Sequence, residues 1–212
     1  MGNGLTYRDI EEVEMSIWES NSAVGQVTSE MIDQVYKWFL CLEERRLDAA
    51  YIAAVKECHG GILRCKKFVA GNGYSAKVGR FLNFCSSDFP PPEPFRPSYL
   101  DSTVDERLIW AMNITTGFEN INIGEHLFPI AFVCDPDGDP NDVNPSHCDL
   151  ICIDVLRDGA VLYWNNAKAQ KEMCRCEEEE DWENLDYDLH TSRIANSFAE
   201  FLNNLEMAPE DS

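Results

Sequence analysis

Metal binding is the first chemistry to look for in this 212-residue chain, because oxygen and sulfur ligands gather in its middle. Asp135, Asp137, Asp139 and Asn141 alternate as the leading oxygens of a calcium loop do, a spacing that lets side chains converge on one cation. The pattern stops short. Pro140 stands where an EF-hand loop has its Gly, and Ser146 where it has a bidentate Glu, so the expected role is a polar turn between strands. His147, Cys148, Cys152, Cys174 and Cys176 can be drawn as a zinc set. On one strand, however, Cys148 and Cys152 would stand ~13 Å apart, and neither cysteine pair has the two-residue gap of a zinc knuckle. No metal and no other cofactor is therefore expected. Nucleophilic catalysis would need a Cys with a His partner, and Cys58 and His59 are chain neighbours that leave a helix end on different sides. No G-x-S-x-G, P-loop or dinucleotide fingerprint occurs. No residue is assigned a catalytic role, and the chain is expected not to be an enzyme.

Charge says more than motifs. With 17 basic and 38 acidic residues the formal net charge is −21, a field that repels phosphate backbones and disfavours nucleic-acid binding. The natural partner of such a surface is a cationic protein, although acidic charge also serves solubility alone. The carboxylates concentrate at Asp135, Asp137, Asp139 and Asp142, and at Glu177, Glu178, Glu179, Glu180 and Asp181 beside Trp182. These ten residues are the candidate partner-binding set, since a Trp among carboxylates suits a protein interface. The alternative is a solvated acidic loop.

An apolar content of 44% suits one globular domain, read as residues 1–206 with an acidic tail over 207–212. No run of 18 apolar residues occurs, and the opening MGNGLTYRDIEEVE is acidic where a signal peptide is basic and then apolar. A cytoplasmic protein without membrane association is expected. Gly2 and Thr6 fit a nominal myristoylation pattern, but no second lipid signal accompanies them. Nine cysteines, with Cys41, Cys134 and Cys152 in apolar runs, read as reduced thiols. Oligomeric state is not legible.

The elements that must position these residues follow from periodicity. Helical spacing starts at Thr6 with Ile10, Val13, Ile17 and Trp18 on one face, again after Thr28 or Ser29 through Leu40, and over Ala49 to Cys58 until Gly60-Gly61 stops it. Ile62 to Ala70 and Val78 to Phe84 have strand character around a Gly71–Gly73 turn. Ser86 to Pro97 is a proline-rich loop, and Thr103 with Glu106 caps a short helix. Phe128 to Val133 is a strand. Leu150 to Val155, LICIDV, is apolar on both alternating faces, the pattern of a strand covered on two sides. Asp158-Gly159 turns it into a hairpin with Ala160 to Trp164. Asn165 to Asp188 reads as an acidic loop, and from Ser192 the residues Ile194, Ala195, Phe198, Phe201, Leu202 and Leu205 mark a terminal amphipathic helix. The expected fold is α+β, with N-terminal helices, a mainly antiparallel central sheet and a C-terminal helix packed on it.

Five segments in this order, YIAAVKECHGG (51–61), FPIA (128–131), LICIDV (150–155), VLYW (161–164) and RIANSFAEFLNNL (193–205), resemble the SUKH superfamily of cell-wall-assembly regulators of the Smi/Knr type and bacterial immunity proteins. The likeness covers Leu5 to Leu205 with gaps. It departs from the family where Leu47-Asp48-Ala49-Ala50 precedes Tyr51 in place of Leu-Pro. Either Asp137-Gly138-Asp139 or Asp149 stands for the family's acidic turn. The resemblance implies a non-catalytic immunity protein that binds a cognate toxin and occludes its active surface. A regulatory scaffold of the cell-wall type, or a metal-binding or hydrolytic enzyme, are the alternatives.

Overall fold

The computed structural model describes residues 17–38, 47–84, 127–134, 149–156, 159–179 and 190–207. Among the described residues two helices come first. In α1, Ser29–Trp38, the Met31 N–H donates to Thr28 Oγ1 at 3.3 Å, which satisfies one donor left open at a helix start. In α2, Ala49–Glu57, Asp48 Oδ1 accepts from the N–H groups of Ala50 and Tyr51 at 2.6 and 3.3 Å. Of the helix expected from Thr6, residues up to 16 lie outside the described part. Trp18, expected on its apolar face, is not helical: it forms an antiparallel bridge with Leu63, and Arg64 Nε donates to its carbonyl at 2.8 Å. An apolar Ile-Trp pair fits either period, and the long-range pairing decides. The loop expected over 86–97 and the helix expected from Thr103 lie outside the described residues.

Seven strands form one antiparallel sheet, in agreement with the α+β expectation. They are β1 Cys65–Val69, β2 Ser75–Phe81, β3 Leu127–Cys134, β4 Leu150–Asp154, β5 Val161–Trp164, β6 Thr191–Ala195 and β7 Glu206–Met207, in the order β6-β5-β4-β3-β2-β1-β7. Central strand β3 contains Pro129, which lacks an N–H; the register shifts between Pro129 and Ala131, so the proline sits at the irregularity where a ladder donor is not needed.

Two expectations near the C-terminus are corrected. Asn166–Glu179 is a helix, α3, rather than an acidic loop. Its sequence NAKAQKEMCRCEEE is rich in strong helix formers, and Asn165 Oδ1 accepts from the Lys168 N–H at 2.9 Å as its cap. The terminal helix does not begin at Ser192. Thr191–Ala195 pairs with β5 as strand β6, and the helix, α4, covers only Phe198–Asn203, where Ser197 Oγ accepts from the Glu200 N–H at 3.1 Å. The two apolar residues Ile194-Ala195 carry no period of their own, and the open edge of β5 recruits them.

The sheet is curled. Laid flat, seven strands spaced ~4.8 Å apart would put β6 and β7 ~29 Å apart, beyond the roughly 26 Å that the short connection through α4 can span. The curl is seen directly where the Gly71 N–H in the β1–β2 turn donates to the β6 carbonyl of Arg193 at 2.8 Å. Tyr74, before β2, stacks on Tyr163 of β5 with centroids 4.6 Å apart.

Alternation along the strands fills two cores. Ile151, Ile153, Val161, Tyr163 and Phe128 face the inner one, with Tyr51 of α2 and Phe198 and Phe201 of α4. Leu150, Cys152, Leu162 and Trp164 face the second, with Ala169 of α3. All of β4 and β5 is buried, which is the two-sided cover that LICIDV predicts.

Candidate functional site

Strand direction brings distant segments to one end of the sheet. The register pairs Leu150 with Trp164 and Trp164 with Thr191, and the Val133 N–H donates to the Asp149 carbonyl at 2.9 Å. Hence the end of β3, the start of β4, the end of β5 and the start of β6 lie together. Lys77 pairs with Cys134, so the Gly71–Tyr74 turn shares this rim. The connections 135–148 and 165–190 both leave and re-enter the sheet there. They hold all ten predicted partner-binding residues.

Carboxylates outnumber basic residues chiefly outside the described residues. Of the 17 basic and 38 acidic residues, 11 and 13 fall among the described residues, about −2 in all, so the remaining segments carry about −19. Residues 135–148 and 177–189 together contain twelve carboxylates and neither Lys nor Arg. Asp135, Asp137, Asp139, Asp142, Glu180, Asp181 and Trp182 lie outside the described residues. Glu177 and Glu178 are exposed on the last turn of α3, and Glu179 is its final residue. No base occupies that turn, and acidic side chains at a helix C-terminus meet the negative end of the dipole, at about 0.3–1 kcal/mol each. Earlier in α3, Arg175 Nη2 donates to Glu172 Oε1 at 2.6 Å, so that cation is already paired.

A polar cluster anchors the rim. The Tyr163 hydroxyl donates to Asp149 Oδ2. Asn165 Nδ2 donates to the same oxygen at 3.2 Å and to the Tyr163 hydroxyl oxygen at 2.7 Å, and the Asn166 N–H donates to Asp149 Oδ1 at 2.8 Å. Burial first, then the bond to Asp149, raises the Tyr163 phenol above the usual tyrosine range. Asp149 thus ties the start of β4 to the end of β5 and the start of α3. Tyr74, Tyr163 and Asn165 were not among the sequence candidates. Only Asn165-Asn166 before a run of helix formers carried a local signal, that of a cap.

Cys58 and His59, the drawn catalytic pair, turn to different partners. His59 Nε2 accepts from the Phe84 N–H at 2.6 Å, and burial lowers its pKa to about 4. Cys58 Sγ lies 3.7 Å from Ser22 Oγ instead, with burial raising its pKa. Cys152 is buried in the sheet with its thiol pushed up by burial, Cys174 is exposed and Cys176 buried on α3, and His147 and Cys148 lie outside the described residues. Among the described residues no group of three or more His, Cys, Asp or Glu is placed to hold a metal ion. No helix among them is long and apolar enough to cross a membrane.

Comparison with family models, with curated proteins and with solved structures returns no match.

Proposed function

We propose that this chain is a non-catalytic immunity protein, a cytoplasmic binder that neutralises a cationic toxin by covering its active surface. The observation that carries the reading is the distribution of charge: 13 acidic against 11 basic residues among the described residues, and twelve carboxylates with neither Lys nor Arg over 135–148 and 177–189, in two connections whose ends meet at one rim. Charge spread for solubility has no reason to concentrate there, nor to load the end of α3 against its own dipole. Field lines from the two acidic connections steer a basic partner toward this side of the molecule. The curled sheet, with apolar cores on both faces, supplies a stiff base, so little ordering opposes association. The SUKH-like segments fall on this same base, in α2, β3, β4, β5, β6 and α4.

The test is protection. The chain is co-produced in a bacterial host with the protein encoded beside its gene, and survivors are counted. Wild type is expected to restore growth. A variant with Asp135, Asp137, Asp139, Asp142, Glu177, Glu178, Glu179, Glu180 and Asp181 changed to their amides is expected to lose most of that protection. Equal protection by the variant, or none by wild type, overturns the reading.

A further inference from the structure

We infer that Asp149, Tyr163 and Asn165 form a positioning latch that holds the ends of the two acidic connections in fixed relation, so that one partner engages both and leaves slowly. This rests on the proposed function and adds the residues that set its geometry. Each connection is closed at its own ends. The Val133 N–H donates to the Asp149 carbonyl at 2.9 Å across 135–148, and the Asn165 N–H donates to the His190 carbonyl at 2.9 Å across 165–190. Neither closure relates one connection to the other. The β4–β5 register ends at Leu150 and Trp164, one pair short of Asp149 and Asn165, where the two connections meet the sheet.

Side chains take over where the ladder stops. Through Oδ2, Asp149 accepts from the Tyr163 hydroxyl and from Asn165 Nδ2 at 3.2 Å, and through Oδ1 from the Asn166 N–H at 2.8 Å. Hydrogen bonds to a carboxylate are roughly twice as strong as neutral ones, and Asn165 Nδ2 closes the triangle by donating to the Tyr163 oxygen at 2.7 Å. The Tyr163 ring is itself held, with centroids 4.6 Å from Tyr74 and 6.2 Å from Phe68. Asn165 also sets the start of α3, because its Oδ1 accepts from the Lys168 N–H. That helix is a lever. Its 14 residues span ~21 Å, so a tilt of about 10° at its start moves Glu177 and Glu178 by roughly 3 Å, several times the ~0.5 Å tolerance of a preorganised binding site.

The experiment measures stopped-flow association and dissociation of the full chain with the product of the neighbouring gene, for wild type, Tyr163→Phe, Asp149→Asn and Ile153→Val. Tyr163→Phe removes a latch donor and leaves the net charge unchanged, so association should stay within about twofold while dissociation quickens about three- to tenfold. Asp149→Asn, which keeps an acceptor for the Asn166 N–H, should quicken dissociation likewise. Ile153→Val costs stability in the inner core without touching the latch, and should leave dissociation unchanged. A dissociation rate that tracks stability across all three variants would leave the latch no role in binding. Equal dissociation by wild type and Tyr163→Phe overturns the latch while the acidic connections stand. If wild type does not bind at all, the latch and the proposed function fall together.

Discussion

Replacing Gly60 with alanine separates two physical costs within one molecule. Gly60 closes the corner after α2 with φ +65°, and a Cβ there would lie 2.9 Å from Val24 Cγ2 and 3.0 Å from Asn83 Cβ. Its carbonyl and that of Ser22 both accept from Arg80 Nη1 at 2.6 Å, and the Val24 N–H donates to the His59 carbonyl at 2.7 Å. The corner therefore cannot retreat without breaking the attachment of the N-terminal segment. Left-handed backbone costs a non-glycine residue about 1–2 kcal/mol, and forced overpacking adds about 1–3 kcal/mol, so Gly60→Ala should lose roughly 2–5 kcal/mol. Gly73 supplies the control: φ +82° with nothing within 4 Å of an added Cβ, so Gly73→Ala should lose only the conformational part, about 1 kcal/mol. Urea unfolding of the three proteins, followed by tryptophan fluorescence and far-UV circular dichroism, measures both. Equal losses for the two variants would refute the steric account of the corner.

Three other perturbations follow from buried polar groups. His59 is neutral in the fold with its pKa lowered to about 4 from 6.5; the unfolded chain binds the extra proton, so stability present above pH 6.5 should fall by about 3 kcal/mol as pH drops toward 4. Urea midpoints from pH 7 to 4 should show that slope in wild type and not in His59→Gln, and parallel curves would contradict it. The Tyr51 hydroxyl is buried without a hydrogen-bond partner among the described residues, against Phe84, Phe128 and Phe198. Tyr51→Phe should therefore raise stability by about 1–2 kcal/mol, a gain of about 2–8 °C in Tm by calorimetry; a loss would refute it. Asp149→Asn should bring the Tyr163 phenol back down toward the usual tyrosine range, because it removes a charge that opposes phenolate. Ultraviolet titration of phenolate absorbance reads this, and an unmoved titration would show that burial alone sets it.

The sequence announced elements whose signal is local. LICIDV reads as two-sided because Ile151 and Ile153 serve one core while Leu150 and Cys152 serve the other. Thr28 was legible as a cap because capping acts over two or three residues, whereas Asp48, which caps α2, was not read as one. The acidic ending of α3 masked a run of good helix formers, so charge was weighed where propensity decided. In β6 the deciding partner was the edge of β5, nearly thirty residues upstream, which periodicity does not see. The rim was least legible of all. Tyr74 and Tyr163 meet only because the sheet curls, and no spacing in the sequence encodes that contact. The acidic candidates were visible as composition, whereas that the ends of their two connections meet came from strand register.

The central claim of the proposal is that the negative charge of the two acidic connections steers a cationic partner. Stopped-flow association of the chain with the product of the neighbouring gene, measured from 50 mM to 1 M salt, tests it directly, because the screening length shrinks from more than 10 Å to about 3 Å over that range. The account predicts an association rate that falls at least about tenfold while dissociation changes little. An association rate independent of salt would contradict it.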